Sequence, residues 1–323
     1  MRRREFIAGL TGTAAWPLAA PAQQLAMPVI GYLRAGGQPE ADELEGFRHG
    51  LIERGYVENR NVAIEFHTSA QYDRLPAMAA DVVRREVAVI LANGLPAALA
   101  AKAATSTTPI IFQIGGDPVA AGLVTSLSRP GGNLTGATNF SGDLLQKRLE
   151  LLRELVPSAA IVAILVNPSN PNFETRLRAI RQASHDVGQQ ISFLNAGNES
   201  EIVRAFAELV QQRAAALVVS DDPFFFSRRN QLVMLAALHR VPAIYSSRLF
   251  VGAGGLVSYG DDRSDRQRLV GLYVGRVLRG DNPADLPVQQ PTKLELLVNA
   301  KTARMLGLEV PPSVLVRADE VIE

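Results

Sequence analysis

Five short segments hold the residues whose types could do chemistry. They are 35–38 with Gly36 and Gly37, 93–96 with Asn93, Gly94 and Leu95, 115–118 with Gly115, Gly116 and Asp117, 167–172 with Asn167, Asn170 and Asn172, and 221–224 with Asp221 and Phe224. Each follows an apolar run and precedes a predicted helix. Free backbone N–H groups and the helix dipole would therefore face an anion there, a carboxylate above all. Glycine lets backbone approach a ligand closely. Asp117 and Asp221 are candidates for a ligand ammonium, although aspartates in turns and helix caps look the same in a sequence. Phe224-Phe225-Phe226 offers a ring to wall a flat apolar group, or a plug for a sheet edge, and Tyr32 is a second candidate ring.

This is the chemistry of binding. No G-x-S-x-G elbow and no G-x-x-x-x-G-K-[ST] loop occurs, and no complete G-x-G-x-x-G opens the first helix. The four histidines are widely spaced, with no metal-ligand pattern. Asp221-Asp222 before Pro223 reads as a helix cap or a ligand contact. No catalysis, metal or cofactor is expected.

The elements that must position these segments read as a strand–helix alternation, run twice. In the first half, apolar runs at 29–33, 62–67, 87–92 and 109–114 alternate with helical patterns at 41–54, 72–85 and 95–104. Leu44, Phe47 and Leu51 make the stripe of the first helix. Arg129-Pro130-Gly131-Gly132-Asn133 is a loop by its turn chemistry, and a crossing between domains is expected in the short run that follows it, ending at Asn139. The second half restarts with a helix at 144–156, then strands at 161–166, 191–194, 215–219, 241–245 and 256–259 with helices between them, and a last helix at 267–278. Strands apolar throughout, separated by helices, mean parallel sheets covered on both faces. The fold class expected is α/β: two Rossmann-like, doubly wound parallel-sheet lobes joined by a hinge. In such sheets ligands bind beyond the carboxyl ends of the strands, which is where all five segments fall. The expected lobes are 28–139 with 260–287, and 140–259 with 288–323.

Composition narrows the classes further. The 323 residues are 47% hydrophobic, enough for two cores. Arg2-Arg3-Arg4, an uncharged run and Ala20-Pro21-Ala22 read as a signal peptide over residues 1–22, with a twin-arginine character, cleaved after Ala22. Removing Arg2, Arg3, Arg4 and Glu5 takes the net charge from +1 to about −1, which argues against a nucleic-acid partner. The basic residues read as dispersed surface. Cysteine is absent, so neither disulfides nor a lipid-modified cysteine is expected. With no later run long enough to span a bilayer, the expectation is a periplasmic, monomeric protein without stable membrane insertion.

Several stretches resemble one family. Met27-Pro28-Val29-Ile30-Gly31-Tyr32-Leu33, Tyr72-Asp73-Arg74-Leu75-Pro76, Gly116-Asp117-Pro118-Val119 and the run 129–136 are similar to ABC transporter substrate-binding proteins related to the tryptophan-binding component. So are the runs 147–152, 166–172, 254–260 and 283–288, and the ending at 317–322. The resemblance implies a type I periplasmic-binding-protein fold with a three-strand hinge and a cleft that closes on a small solute. An amino-acid-like or carboxylate solute would then pass to a membrane permease driven by an ATPase. A sensor subunit on the same fold and an exported enzyme stand as alternatives. Relatives often carry an Asp-x-Tyr pair after Tyr259-Gly260, where this chain has Asp265-Arg266-Gln267, and an acidic or aromatic residue where it has Leu249. These departures lie near the expected cleft, and Asn139 and Arg248 complete the candidate binding set.

Overall fold

The computed structural model describes residues 27–139, 141–290 and 293–323, with the side chains of 141–143 left aside. The expected signal peptide lies outside the described residues. The first sheet is built from β1 (Val29–Ala35), β2 (Ala63–Ser69), β3 (Val89–Asn93), β4 (Ile110–Gly115) and β5 (Leu134–Asn139), joined through α1 (Ala41–Ile52), α2 (Leu75–Arg84) and α3 (Leu95–Ala104). Its order is β2-β1-β3-β4-β5, parallel throughout. Strands β1, β3 and β4 are buried almost end to end because helices cover both faces. One core lies under α2 and α3 around Leu33, Ile90 and Phe112, the other around Ile30, Phe47 and Leu91.

The second half begins with α4 (Ser141–Leu155), β6 (Ile161–Val166), α5 (Phe173–Val187), β7 (Gln190–Asn195), α6 (Glu199–Gln211) and β8 (Ala216–Val219). It continues through α7 (Pro223–Ser227), α8 (Arg229–Leu238), β9 (Ala243–Tyr245), α9 (Arg248–Gly252) and β10 (Val257–Asp261). The next helix, α10 (Arg263–Leu278), packs in the first lobe. The chain then returns as β11 (Leu294–Asn299), α11 (Ala300–Met305), α12 (Pro312–Arg317) and β12 (Glu320–Ile322). The second sheet has the order β12-β11-β10-β9-β8-β6-β7. It departs from the expected parallel pattern at one place: β11 runs antiparallel to β10, because it enters from the opposite lobe rather than from a helix of its own.

Helices α1 and α10 meet backbone to backbone. A methyl on Gly50 would fall 2.0 Å from the Arg268 carbonyl oxygen, and one on Gly271 would fall 2.3 Å from that of Phe47. Only glycine permits that approach, which buries Val270, Tyr273 and Val274 against Phe47 and Leu51. The last long helix is thereby fixed to the first lobe.

Three chain segments cross between the lobes, and each is hydrogen-bonded to another. Asn139 Nδ2 donates to Asp261 Oδ1 at 3.0 Å, tying the first crossing to the second. Asp262 N donates to the Lys293 carbonyl at 3.1 Å and Lys293 Nζ pairs with its carboxylate at 2.6 Å, tying the second to the third. Just before the third crossing, Val288 lies in the first-lobe core and Gln289 exchanges hydrogen bonds with β5.

Candidate functional site

The carboxyl ends of β1, β3 and β4 face those of β6 and β8 across the gap between the lobes, and the two faces touch. Gly94, at φ 93°, caps α3, and a methyl there would stand 3.2 Å from Cγ of Pro223 in the second lobe. Tyr72 OH donates to Asp222 Oδ1 and accepts from the Phe224 N–H, both at 3.1 Å. Glu40 and Arg229 pair at 2.8 Å, and the Arg263 guanidinium lies 3.9 Å over the Phe226 ring. The glycines read as sites of close ligand approach thus also serve close approach of the other lobe.

Two small chambers lie between the faces, beside a wider crevice of about 780 Å³ that opens between the lobes among Gln71, Tyr72, Asn167, Glu199, Phe224 and Arg228. One, about 70 Å³, is polar and bordered by Arg34, Gly94, Leu95, Gln113, Phe226 and Arg263. The other, about 160 Å³, is more apolar and bordered by Gly116, Leu145, Arg148, Asn172, Ala179 and Ile180. Arg176 and Asp221 border both. A groove of about 710 Å³ lies elsewhere, on the second lobe, beside Met234, Arg240, Gly254, Lys301 and Met305, and its lining holds no carboxylate.

Electrostatics separates these charged groups. Glu43, from the first turn of α1, pairs with Arg34 at 3.0 Å and with Arg263. Burial would raise its carboxyl, but those two guanidiniums hold it down at about 2. Arg266 pairs with Asp261 at 2.7 Å. Turned to satisfy its neighbours, the Gln113 carboxamide oxygen accepts from Arg266 Nε at 2.8 Å. Asp222 is the N-cap of α7, and its oxygens also take Asn167 Nδ2 at 3.1 Å and Asn170 Nδ2 at 2.6 Å. Asp221 is different. Its nearest bond is a long one, 3.5 Å, from Ser246 Oγ. Burial would raise its carboxyl, yet Arg176, Arg148, Arg266 and Arg263 hold it below the usual range. Arg148 donates to the Tyr259 carbonyl at 2.7 Å. The Arg176 side chain has no hydrogen bond or ion pair among the described residues.

One further acceptor points the same way. A methyl on Gly115 would lie 3.0 Å from both Asn139 Oδ1 and Asp221 Oδ2, so two acceptors from different lobes converge above one glycine. Asn139 Oδ1 is buried with no donor among the described residues. Chemically, the junction of the chambers offers a cation in Arg176, an anion in Asp221 and a neutral acceptor beside it. Among the described residues no group of three or more His, Cys, Asp or Glu could hold a metal ion.

The structure brings together Gly36, Gly94, Leu95, Gly115, Gly116, Asn139, Asn172 and Asp221 at the gap, and corrects the roles of others. Tyr32 does not wall the cleft: it is buried between Phe47 and Phe66, and its OH accepts from Asn93 Nδ2 at 3.1 Å and from Gln267 Nε2 at 3.4 Å. Asn93, half-buried, is thereby held toward Tyr32. Phe224 packs in the second-lobe core, and Phe226 is the ring that reaches the chamber. Asn167 and Asn170 serve Asp222. Asp117 is exposed on the rim, where it accepts from the Val119 N–H at 2.8 Å. Gly37 is exposed. Arg248 turns away to Glu295 at 3.3 Å and Glu320 at 2.6 Å. The five arginines, Arg34, Arg148, Arg176, Arg263 and Arg266, were missed because they come from four elements spread along the chain, only Arg263 and Arg266 sharing one. One signal was legible: Arg34 is a charged residue closing an otherwise buried strand.

A family model described as ABC transporter substrate binding protein matches residues 38–322. The chain belongs to that family. Within it, the chain is 29% identical over 283 residues to the tyrosine-binding protein of Clostridioides difficile strain R20291, spanning 87% of this chain and 81% of the relative. A Streptococcus pneumonia structure, an ABC domain in complex with L-Trp, matches at 28% identity and TM-score 0.83, over 91% of this chain and 99% of that one. A ligand-free, open substrate binding protein with adhesive properties from Clostridium difficile covers the same shares at 25% identity, with a TM-score of 0.65. At equal coverage this substrate-binding protein fits the ligand-holding relative better than the open one, in keeping with the contacts that cross its cleft. Its fold is that of the type I periplasmic binding proteins. Among its described residues no helix is long and apolar enough to cross a membrane.

Proposed function

We propose that the protein is the solute-binding component of an ABC importer, working outside the cytoplasm after loss of residues 1–22 and presenting an amino-acid-like solute to a permease and its ATPase. It binds as a monomer and does no chemistry on the solute. The single observation that carries this is the pair at the junction of the chambers: a guanidinium without a hydrogen bond or ion pair among the described residues, Arg176, beside a carboxylate held ionised, Asp221. A zwitterion completes both. Its carboxylate is met by Arg176, and its ammonium by Asp221 and Asn139 Oδ1. The tyrosine-binding relative and the L-Trp complex support an amino acid as the class.

The cycle follows from where these groups sit. Asn139 is carried by the first lobe and Arg176 and Asp221 by the second, so the full set exists only when the lobes are together. A solute that binds the closed arrangement shifts the population toward it. We place the lobe boundaries at the three crossings, with the α10 segment of the first lobe starting at Asp262 and ending after Gln289. Those edges replace the expected 260 and 287. The test is mass spectrometry of solute released from purified protein, followed by thermal shift with the solutes found. Stabilisation that disappears in Arg176→Ala and Asp221→Asn is expected. Equal stabilisation of all three proteins would contradict the reading.

A further inference from the structure

The polar chamber contains more positive hydrogen-bonding capacity than a zwitterion would use. Arg34 is 3% exposed and borders it, and its Nε–H finds no acceptor among the described residues. Arg263 borders it from the start of α10, and among the described residues its Nε–H is also without an acceptor. Buried donors of this kind are costly to leave unsatisfied. Their shared partner Glu43 lies behind them, fully enclosed, and engages the far side of each guanidinium. Around the two chambers, Arg34, Arg148, Arg176, Arg263 and Arg266 face Glu43, Asp221, Asp222 and Asp261, with Asp117 exposed on the rim. The polar chamber's own lining holds four arginines, Arg34, Arg176, Arg263 and Arg266, against two carboxylates, Asp221 and Asp222. Burial also pushes the Arg148 and Arg263 guanidiniums below their ordinary range.

The same chamber is poorly suited to an aromatic side chain. Its one ring, Phe226, already has a guanidinium 3.9 Å from its face. Its volume of about 70 Å³ is well short of the ~300 Å³ at which ordinary small-molecule pockets begin. A carboxylate is small, planar and matched to the arginine fork.

We propose that the solute carries a second carboxylate, seated between Arg34 and Arg263, so that the protein selects a small dianionic solute such as an acidic amino acid or a dicarboxylate. This rests on the cleft being the solute site, as proposed above. The solute's net charge then offsets the excess cation of the cleft.

Calorimetric titration of the full chain with matched pairs tests it: L-glutamate against L-glutamine, L-aspartate against L-asparagine, with succinate, glutarate, L-tyrosine and L-tryptophan alongside. We expect at least one dianionic probe to bind tenfold or more tighter than its carboxamide partner and than either aromatic amino acid. Preference for succinate or glutarate over the acidic amino acids would identify the source as a dicarboxylate lacking an ammonium. In Arg263→Lys, which keeps a cation facing Glu43 but removes the Nε–H donor, affinity for that probe should fall fivefold or more at an unchanged melting temperature. Arg34→Lys serves the same purpose if that variant does not fold. Tighter binding of L-tyrosine or L-tryptophan than of every dianionic probe overturns the inference alone and leaves the importer reading standing, as does equal affinity within each pair. Binding of none of the probes overturns both.

Discussion

The two faces of the cleft are built in opposite ways. On the first lobe the charged groups are locked: Arg34 and Arg263 both grip Glu43, and α1 and α10, which carry Glu43 and Arg263, are held together at backbone contact. On the second lobe Asp222 is locked by Tyr72, Asn167, Asn170 and its own helix, while its neighbour Asp221 and nearby Arg176 face the chambers without close partners. Adjacent aspartates thus divide the work, one holding structure and the other left for the solute. The first face acts as a preformed template. The second supplies the groups whose satisfaction depends on what lies between the lobes.

The largest expected effect breaks the template. Gly50→Val places side-chain carbons where the Arg268 carbonyl already stands, and overpacking of this kind costs about 3 kcal/mol or more at an interface with no room to relax. Urea unfolding should show a lower midpoint for the first lobe. An unchanged midpoint would mean that α10 is not anchored as described. On the other face, Arg176→Ala and Asp221→Asn should leave the urea midpoint nearly unmoved but weaken solute binding by roughly 2–5 kcal/mol, about thirtyfold or more by titration. If either variant loses stability like Gly50→Val instead, the contrast between the faces collapses.

A change of pH sharpens the same contrast. Glu43 is depressed from 4.5 to about 2 by Arg263 and Arg34, against the effect of burial. A carboxyl lowered on folding adds stability that is complete above its unfolded value and is lost as pH falls through the folded one. Its share, on the order of 3 kcal/mol, should therefore disappear between about pH 4.5 and 2. Melting curves of Glu43→Gln, already less stable at neutral pH, should show a shallower decline over that window. A parallel decline would assign the acid sensitivity to other carboxylates. The smallest effect is expected at the contact between the faces. Tyr72→Phe removes both cross-lobe hydrogen bonds of that hydroxyl but leaves Asp222 with its amide partners and the Phe224 N–H with Asp222, a loss of ~1 kcal/mol. Small-angle scattering should then show a more extended average form without solute and the same compact form with it. Identical profiles without solute would show that Tyr72 does not hold the lobes together.

Much of this was open to reading along the chain, for reasons that also explain the misses. Buried parallel strands declare themselves as unbroken apolar runs, so β1, β3, β4, β6 and β8 and the loops after them were legible, and Asp221 with them. Tyr32 was misplaced because the apolar run was ended at Leu33, whereas β1 continues to Ala35 and buries the ring two residues deeper. Phe224 was chosen over Phe226 because the strand-end segment was taken as 221–224, with no helix starting at Pro223. As a helix, α7 turns the first two rings into the core and the third toward the chamber. The arginines could not be grouped in advance, since they arrive on β1, α4, α5 and α10 and only the folded sheets bring those elements together. Nor could the antiparallel entry of β11 be seen, because strand direction after a hinge depends on which lobe the chain leaves.

The central claim is that one small solute is held between the lobes by Arg176 and Asp221. A crystal structure with the tightest-binding solute tests it most directly. We predict the solute at the junction of the two chambers, a carboxylate within hydrogen-bonding distance of Arg176 and, for an amino acid, the ammonium against Asp221. A solute seated instead in the groove beside Met234, Gly254 and Met305, with Arg176 and Asp221 untouched, would contradict the account.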